Sequence, residues 1–168
     1  GSVVDTAISA NTSTPPVPAP VEVKIIQMAM LGIQGAGKTS IINALQGNGN
    51  ANVKPTLGFK PTTMMLGANT KIKFYDLGGG KKIRDIWTQY YHDVHAIIYV
   101  IDSTSDDAGW DDTIAEFKKV ATHSMLMNKP MLVVGNKHND KGAKSINDIC
   151  DKLGLETNRS CNVIVNCN

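Results

Sequence analysis

Cysteine is scarce in this chain, and what there is lies near one end: Cys150, Cys161 and Cys167. An odd, clustered set does not make a disulfide framework, and no second Cys/His pair completes a zinc site, so the reading is a reducing, cytoplasmic compartment. An excess of one charge is missing too. Lys plus Arg number 17 and Asp plus Glu 15, a net +2 that gives neither nucleic acid nor an anionic membrane a reason to bind. No run approaches the roughly 18 apolar residues of a membrane span, so a membrane link would need segments outside this sequence. A starting Met is also absent: Gly1-Ser2 reads as an expression scar that leaves any targeting signal out of view. His92, His95 and His123 lack metal-ligand spacing and read as structural.

What is present is a chain of 168 residues, 42% apolar, enough for one buried core. Residues 1–22 are rich in Pro, Ser and Thr, ending near Thr14-Pro-Pro-Val-Pro-Ala-Pro20, and read as a disordered linker. Residues 23–168 read as one domain. It is organised around Gly32-Ile-Gln34-Gly35-Ala36-Gly37-Lys38-Thr39, the spacing G-x-x-x-x-G-K-[ST]. An apolar run, Ile25–Leu31, precedes it, and a helical pattern from Lys38 to about Gln46 follows. Strand, Gly-rich turn and helix together make a phosphate cradle: curled backbone N–H groups and a helix N-terminus face the same anion. Lys38 would reach the β- and γ-phosphates, the Thr39 hydroxyl would ligate Mg²⁺, and Ser40 lies beside them.

The rest of the chain alternates. Two β-like runs, Thr62–Leu66 and Lys71–Asp76, flank Gly67-Ala-Asn-Thr70 as a hairpin. Lys81–His92 has helical spacing through Ile83, Ile86, Trp87 and Tyr90. Strand Ala96–Asp102, helix Asp106–Met127, strand Met131–Gly135, helix Ser145–Leu153 and strand Val163–Asn166 complete the pattern. This predicts a three-layer, doubly wound, mostly parallel α/β sheet with one antiparallel strand. The pattern calls for one more covering helix, and the sequence stops at Asn168.

Such sheets bind ligands beyond the strands' carboxyl ends, where the informative loops cluster. Thr56 could place its hydroxyl on Mg²⁺, Asp76 could hold the ion through water, and the Gly79 N–H could touch the γ-phosphate. Asn136-Lys137 follows a strand where a purine ring would lie.

In this order the motifs resemble small GTPases, and the details resemble the ADP-ribosylation factor-like family. Pro55-Thr56-Leu57-Gly58-Phe59 is similar to that family's first switch, and Asp76-Leu77-Gly78-Gly79 with Arg84 and Trp87 to its second. Asp102-Ser103 and Asp151-Lys-Leu-Gly-Leu155 also match. The resemblance implies a P-loop GTPase fold with an interswitch hairpin, GTP or GDP with Mg²⁺, and a protein partner engaged through the switches. Two positions depart from the pattern. Gly80 stands where these GTPases carry the Gln that orients the attacking water, so no catalytic residue is assigned and intrinsic hydrolysis is expected to be very slow. Gly-Gly-Gly-Lys-Lys-Ile-Arg84 with Tyr90-Tyr91 resembles the factor-like protein 13 branch. That branch implies a cilium and exchange-factor action on ADP-ribosylation factor-like protein 3.

The base site is the second departure. The family's N-K-x-D pattern here reads Asn136-Lys137-His138-Asn139, with Asp140 one residue late. Asn139 would set a donor against a donor, at a cost on the order of 1–3 kcal/mol. Either Asp140 swings in or guanine selectivity is weakened. Cys167 falls where the last base-contacting loop belongs. Other readings are a GTPase of vesicle or membrane traffic whose partner supplies the catalytic group, and a scaffold with degraded nucleotide selectivity. An ATP-dependent kinase lacks an acceptor site.

Overall fold

A computed structural model describes residue 11, residues 13–49 and 52–155, and the backbone of residues 161–165. Residues 13–23 form no helix or strand and are exposed. Six strands follow: β1 (Lys24–Leu31), β2 (Phe59–Leu66), β3 (Thr70–Leu77), β4 (Ala96–Asp102), β5 (Met131–Asn136) and β6 (Cys161–Val165). They lie in the order β2-β3-β1-β4-β5-β6. Only β2 runs antiparallel, pairing with β3 from Phe59 against Leu77 to Leu66 against Thr70. Pro61 within β2 costs no ladder bond to a further strand, because β2 is the sheet edge. Among the described residues no helix is long and apolar enough to cross a membrane.

Strand alternation sorts side chains between two layers. Ala29 and Leu31 of β1 join Leu77, Ile97, Tyr99, Ile101 and Val133 under Trp87, Trp110, Phe117 and Ile149. Met30, between them, turns to the other face with Phe74 and Val100, beneath Ile42 of α1 (Lys38–Leu45). The first layer is covered by α2 (Asp107–Ala121) and α3 (Ile146–Leu153). Caps explain where these helices start: the Asp106 carboxylate accepts from the Gly109 N–H and the Ser145 hydroxyl from the Asp148 N–H. Gly154, left-handed at φ 65°, ends α3.

Two helix expectations are corrected. The span 81–92 is not α-helix: its ordered part is a 3-10 helix, Arg84–Tyr90. The Trp87 indole N–H donates to the Gly78 carbonyl at 2.9 Å, and the entering turns close i to i+3, as in Ile83 N–H to Gly80 O. Tying a buried indole to backbone nine residues back favours the tighter winding. The helix read to Met127 instead stops at Ala121. The Thr122 hydroxyl takes the Lys118 carbonyl, and His123 caps a separate 3-10 turn, Ser124–Leu126. Smaller shifts extend β2 back to Phe59 and place β6 at Cys161–Val165 rather than 163–166.

Parallel register brings the carboxyl ends of β1, β3, β4 and β5 to one edge, with Met30 opposite Asp76 and Asp102 opposite Asn136. The loops that follow these strands build the site.

Candidate functional site

The loop after β1 wraps around the start of α1. Its turn depends on Gly37, at φ 101°, where a Cβ would lie 2.1 Å from the Asn136 side-chain nitrogen. Gly37 is also the cap of α1, and among the described residues no side chain caps its first-turn N–H groups. They face outward at the positive end of the helix dipole. Lys38 is buried and donates to the Gly32 and Ile33 carbonyls at 2.8 and 3.2 Å. Burial pulls its ammonium down to about 8, against the opposing pull of the Asp76 carboxylate. An uncapped helix end and a poorly solvated ammonium side by side are the physical description of an anion site.

A second group of side chains meets just beyond it. Thr39, from α1, donates its hydroxyl to the Asp76 carboxylate at 2.5 Å. The Thr56 hydroxyl lies 3.0 Å from that of Thr39 and 3.2 Å from the same carboxylate oxygen. Asp76 is 1% exposed, and its other oxygen, Oδ1, has no partner among the described residues. A buried, half-satisfied carboxylate beside two hydroxyls is an oxygen-ligand set that suits a hard divalent cation. These residues fit Mg²⁺.

A cavity of about 330 Å³ joins the two groups, lined by Gln34, Lys38, Thr39, Thr56, Gly80 and Lys137 among others. Gly35, Gly37, Ser40 and Gly79 line it as well, while Gly32 and Ala36 contribute backbone to the loop beneath. Gly79 sits hard against that loop: a Cβ there would lie 2.5 Å from the Gln34 nitrogen and the Gly32 oxygen. It meets the loop through its carbonyl, which accepts from the Gln34 N–H at 3.1 Å and from Arg84 Nε at 2.7 Å. The Gly79 N–H, the group expected to meet the γ-phosphate, has no hydrogen-bond partner among the described residues.

At the end of β5, Asn136 donates to the Ala36 carbonyl at 3.0 Å, fastening this loop to the phosphate loop. Lys137 adopts φ 61° and donates to the Gly35 carbonyl and the Asp102 carboxylate, each at 2.8 Å. Burial pushes the Asp102 carboxyl up, but bonds from Lys137 and Thr104 outweigh it and hold the group below its ordinary value. Asn139 and Asp140 are exposed and lie away from the phosphate cavity. Neither side chain has a hydrogen bond among the described residues, although the Asp140 N–H closes a turn onto the Lys137 carbonyl at 3.1 Å. Cys167 lies outside the described residues.

Two functional contacts escaped the sequence reading. Asp102 as the partner of Lys137 had a legible signal: it ends a buried parallel strand, as Asp76 does. Asp112, which takes both terminal nitrogens of Arg84 at 2.7 Å, had none, since α2 opens with several carboxylates on its surface.

The chain matches the ADP-ribosylation factor family over residues 19–168. It belongs to that family of small GTPases. Its members are switches that bind GTP or GDP with Mg²⁺, and this GTPase shares that cofactor chemistry. It is 35% identical to ADP-ribosylation factor-like protein 13B of Chlamydomonas reinhardtii, over 84% of this chain but only 27% of the algal protein. It is 37% identical to ADP-ribosylation factor-like protein 2 of Dictyostelium discoideum, over 79% of this chain and 71% of that one. Among solved structures it resembles the Arl6 BBS3 small GTPase of Trypanosoma brucei with the bound nucleotide analogue GppNp. That match has a TM-score of 0.72 and 27% identity, covering 84% of this chain and 85% of the other.

Proposed function

We propose that this GTPase is a long-lived GTP switch with very slow intrinsic hydrolysis, acting on a partner GTPase as an exchange factor. The observation that carries the slow hydrolysis is Gly80. It lines the phosphate cavity beside Gly79, at the point where a side chain would have to hold the attacking water, and it has none. Lys38, the N–H groups of Lys38, Thr39 and Ser40, and the loop Gly32–Gly37 would bind the phosphates. Thr39, Thr56 and Asp76 would hold Mg²⁺, which neutralises the charge that develops on the phosphates. Asn136 and Lys137 fasten the purine side.

The output is a protein contact. Phe59 of the hairpin, Tyr75 of β3 and Tyr90 of the 3-10 helix stack with centroids 5.1 to 6.3 Å apart, and Phe59 remains 46% exposed. An aromatic cluster that spans hairpin and second switch, its tyrosines half-buried against the core and Phe59 open to solvent, suits a partner that reads both. The partner proposed is ADP-ribosylation factor-like protein 3 and the place the cilium, both carried over from the resemblance of Gly78–Arg84 and Tyr90-Tyr91 to the factor-like protein 13 branch.

Single-turnover hydrolysis of bound GTP tests the first part. Gly80→Gln is expected to raise the rate by on the order of tenfold or more, because the position has room: a Cβ there meets only the Gln34 amide oxygen at 3.4 Å and Ile83 at 3.7 Å. An unchanged rate, or a wild-type rate already equal to that of a Gln-bearing relative, would overturn it.

We assign base recognition to Asp140, since only a carboxylate accepts from both the guanine N1–H and its exocyclic amine. Titration of the nucleotide-free protein with fluorescent GTP, XTP and ATP analogues, with and without Mg²⁺, checks this. Asp140→Ala is expected to lose GTP affinity by roughly tenfold to a hundredfold, and Asn139→Ala to lose little. A preference for XTP over GTP in the wild-type protein would transfer the role to Asn139.

A further inference from the structure

We infer that Gln34 is a catalytic residue, holding from the phosphate loop the water that no side chain at position 80 can hold. The inference rests on the switch reading above and says which group carries the hydrolysis that remains. Its basis is placement. Gln34 and Gly80 line the same cavity, and the Gln34 amide oxygen lies 3.4 Å from the point where a Cβ on Gly80 would begin. The amide of Gln34 therefore lies beside the point from which a residue at 80 would extend. Its backbone is fixed there, because the Gln34 N–H donates to the Gly79 carbonyl, which Arg84 also holds. The side chain itself is exposed and makes no hydrogen bond among the described residues, so both ends of the amide are free for a ligand. No other uncharged amide lines this cavity among the described residues.

The chemistry needs a group that both accepts and donates. The amide oxygen accepts a hydrogen bond from the water and so turns the water's lone pair toward the γ-phosphorus, while the amide NH₂ donates to a γ-phosphate oxygen. The water oxygen forms a bond to phosphorus as the bond from phosphorus to the β–γ bridging oxygen breaks. GDP leaves with that electron pair; one proton of the water stays on the released inorganic phosphate and the other passes to one of its former γ-phosphate oxygens, so that phosphate departs as H₂PO₄⁻. Lys38, charge-paired to the phosphates, is the wrong group for this task because an ammonium cannot accept. Thr39 and Thr56 are already turned to the Asp76 carboxylate. Beyond the chain neighbours of Gly80, Gln34 is the one polar side chain with an atom within 4 Å of a Gly80 Cβ among the described residues. No hydrogen bond among the described residues pre-orients the Gln34 amide, so it is expected to support slow hydrolysis rather than fast.

The test compares wild type, Gln34→Ala, Gly80→Gln and the double variant in the full chain. Single-turnover GTP hydrolysis, fluorescent GDP affinity and capture of fluoroaluminate by the GDP-bound protein are measured for each. Gln34→Ala is expected to slow hydrolysis by on the order of tenfold, to lose fluoroaluminate capture, and to keep GDP affinity within about twofold. In the Gly80→Gln background the same substitution is expected to change neither, because the new side chain takes the place. Unchanged hydrolysis and capture in Gln34→Ala with intact GDP binding overturns this inference alone. So does a loss of GDP affinity that equals the loss of rate, or a wild type that binds GDP but shows neither turnover nor capture. A wild type that binds neither GDP nor GTP overturns the switch reading itself.

Discussion

Lys38→Met is expected to weaken GTP binding about a hundredfold to a thousandfold while changing the stability of the nucleotide-free protein little. The reason is where the ammonium sits. It is 6% exposed and its only hydrogen-bond partners among the described residues are the Gly32 and Ile33 carbonyls. Burial without a close carboxylate contact lowers its proton affinity to about 8, so the empty site carries a charge it solvates poorly. Phosphate oxygens relieve that cost, and removing the ammonium forfeits a buried charge pair of the kind that costs about 3–4 kcal/mol on truncation. Without nucleotide, Met fills the same space and carries no charge to desolvate. The pH dependence has a definite sign. Below about pH 8 the lysine is already protonated in the empty site, and affinity is flat. Above it, binding must take up a proton, so affinity falls with pH, toward tenfold per unit. Folding stability moves the other way: the unfolded chain holds the proton up to about 10.5, so stability rises from pH 8 toward 10.5. Fluorescent-nucleotide titrations across pH 6–10 check the first trend and denaturant unfolding over the same range the second, and Lys38→Met should flatten each. Equal affinity of wild type and variant at pH 7 would remove Lys38 from the phosphate site.

What could be read from the sequence divides by distance along the chain. The phosphate loop was legible because strand, glycines, Lys38 and Thr39 lie within sixteen consecutive residues, 24–39, and fold by local rules. Asp76 was legible as a carboxylate ending an apolar run, and its meeting with Thr39 and Thr56 follows once the parallel order is right. The 3-10 helix was not. Ile83, Ile86, Trp87 and Tyr90 fit α-helical spacing, but the indole bond from Trp87 to Gly78 overrides the propensity of that short segment. The pairing of Arg84 with Asp112 was also hidden, since nothing local separates Asp112 from Asp106, Asp107 and Asp111. Gln34 was read only as a member of a phosphate loop. Its relation to Gly80 joins two loops whose closeness depends on the sheet register.

Arg84→Ala is expected to destabilise the fold by about 3 kcal/mol, a fall in Tm of roughly 6–12 °C. Its guanidinium is 7% exposed and holds Asp112 with two bonds at 2.7 Å, with Glu116 at 3.3 Å. The bond to Asp112 raises the guanidinium's proton affinity and, reciprocally, holds the Asp112 carboxyl below its ordinary 3.8. Removing the arginine leaves two carboxylates, 21% and 14% exposed, facing each other across the gap. Partial contact with water keeps the loss at the lower end of the range for a broken buried pair. Arg84→Lys should recover only part of it, because an ammonium cannot form the paired fork. The carboxylate contribution is present above pH 3.8 and lost as pH falls through the depressed value, so the gap between wild type and variant should narrow in acid. The damage also reaches the site. Arg84 Nε holds the Gly79 carbonyl at 2.7 Å, the same oxygen that anchors the Gln34 backbone. A weaker anchor there should slow GTP hydrolysis in Arg84→Ala beyond what lost stability explains, even at temperatures well below its Tm. A Tm shift under about 2 °C would show that the α2 contact is surface decoration. A large shift with unchanged hydrolysis would separate the fold's use of Arg84 from the site's.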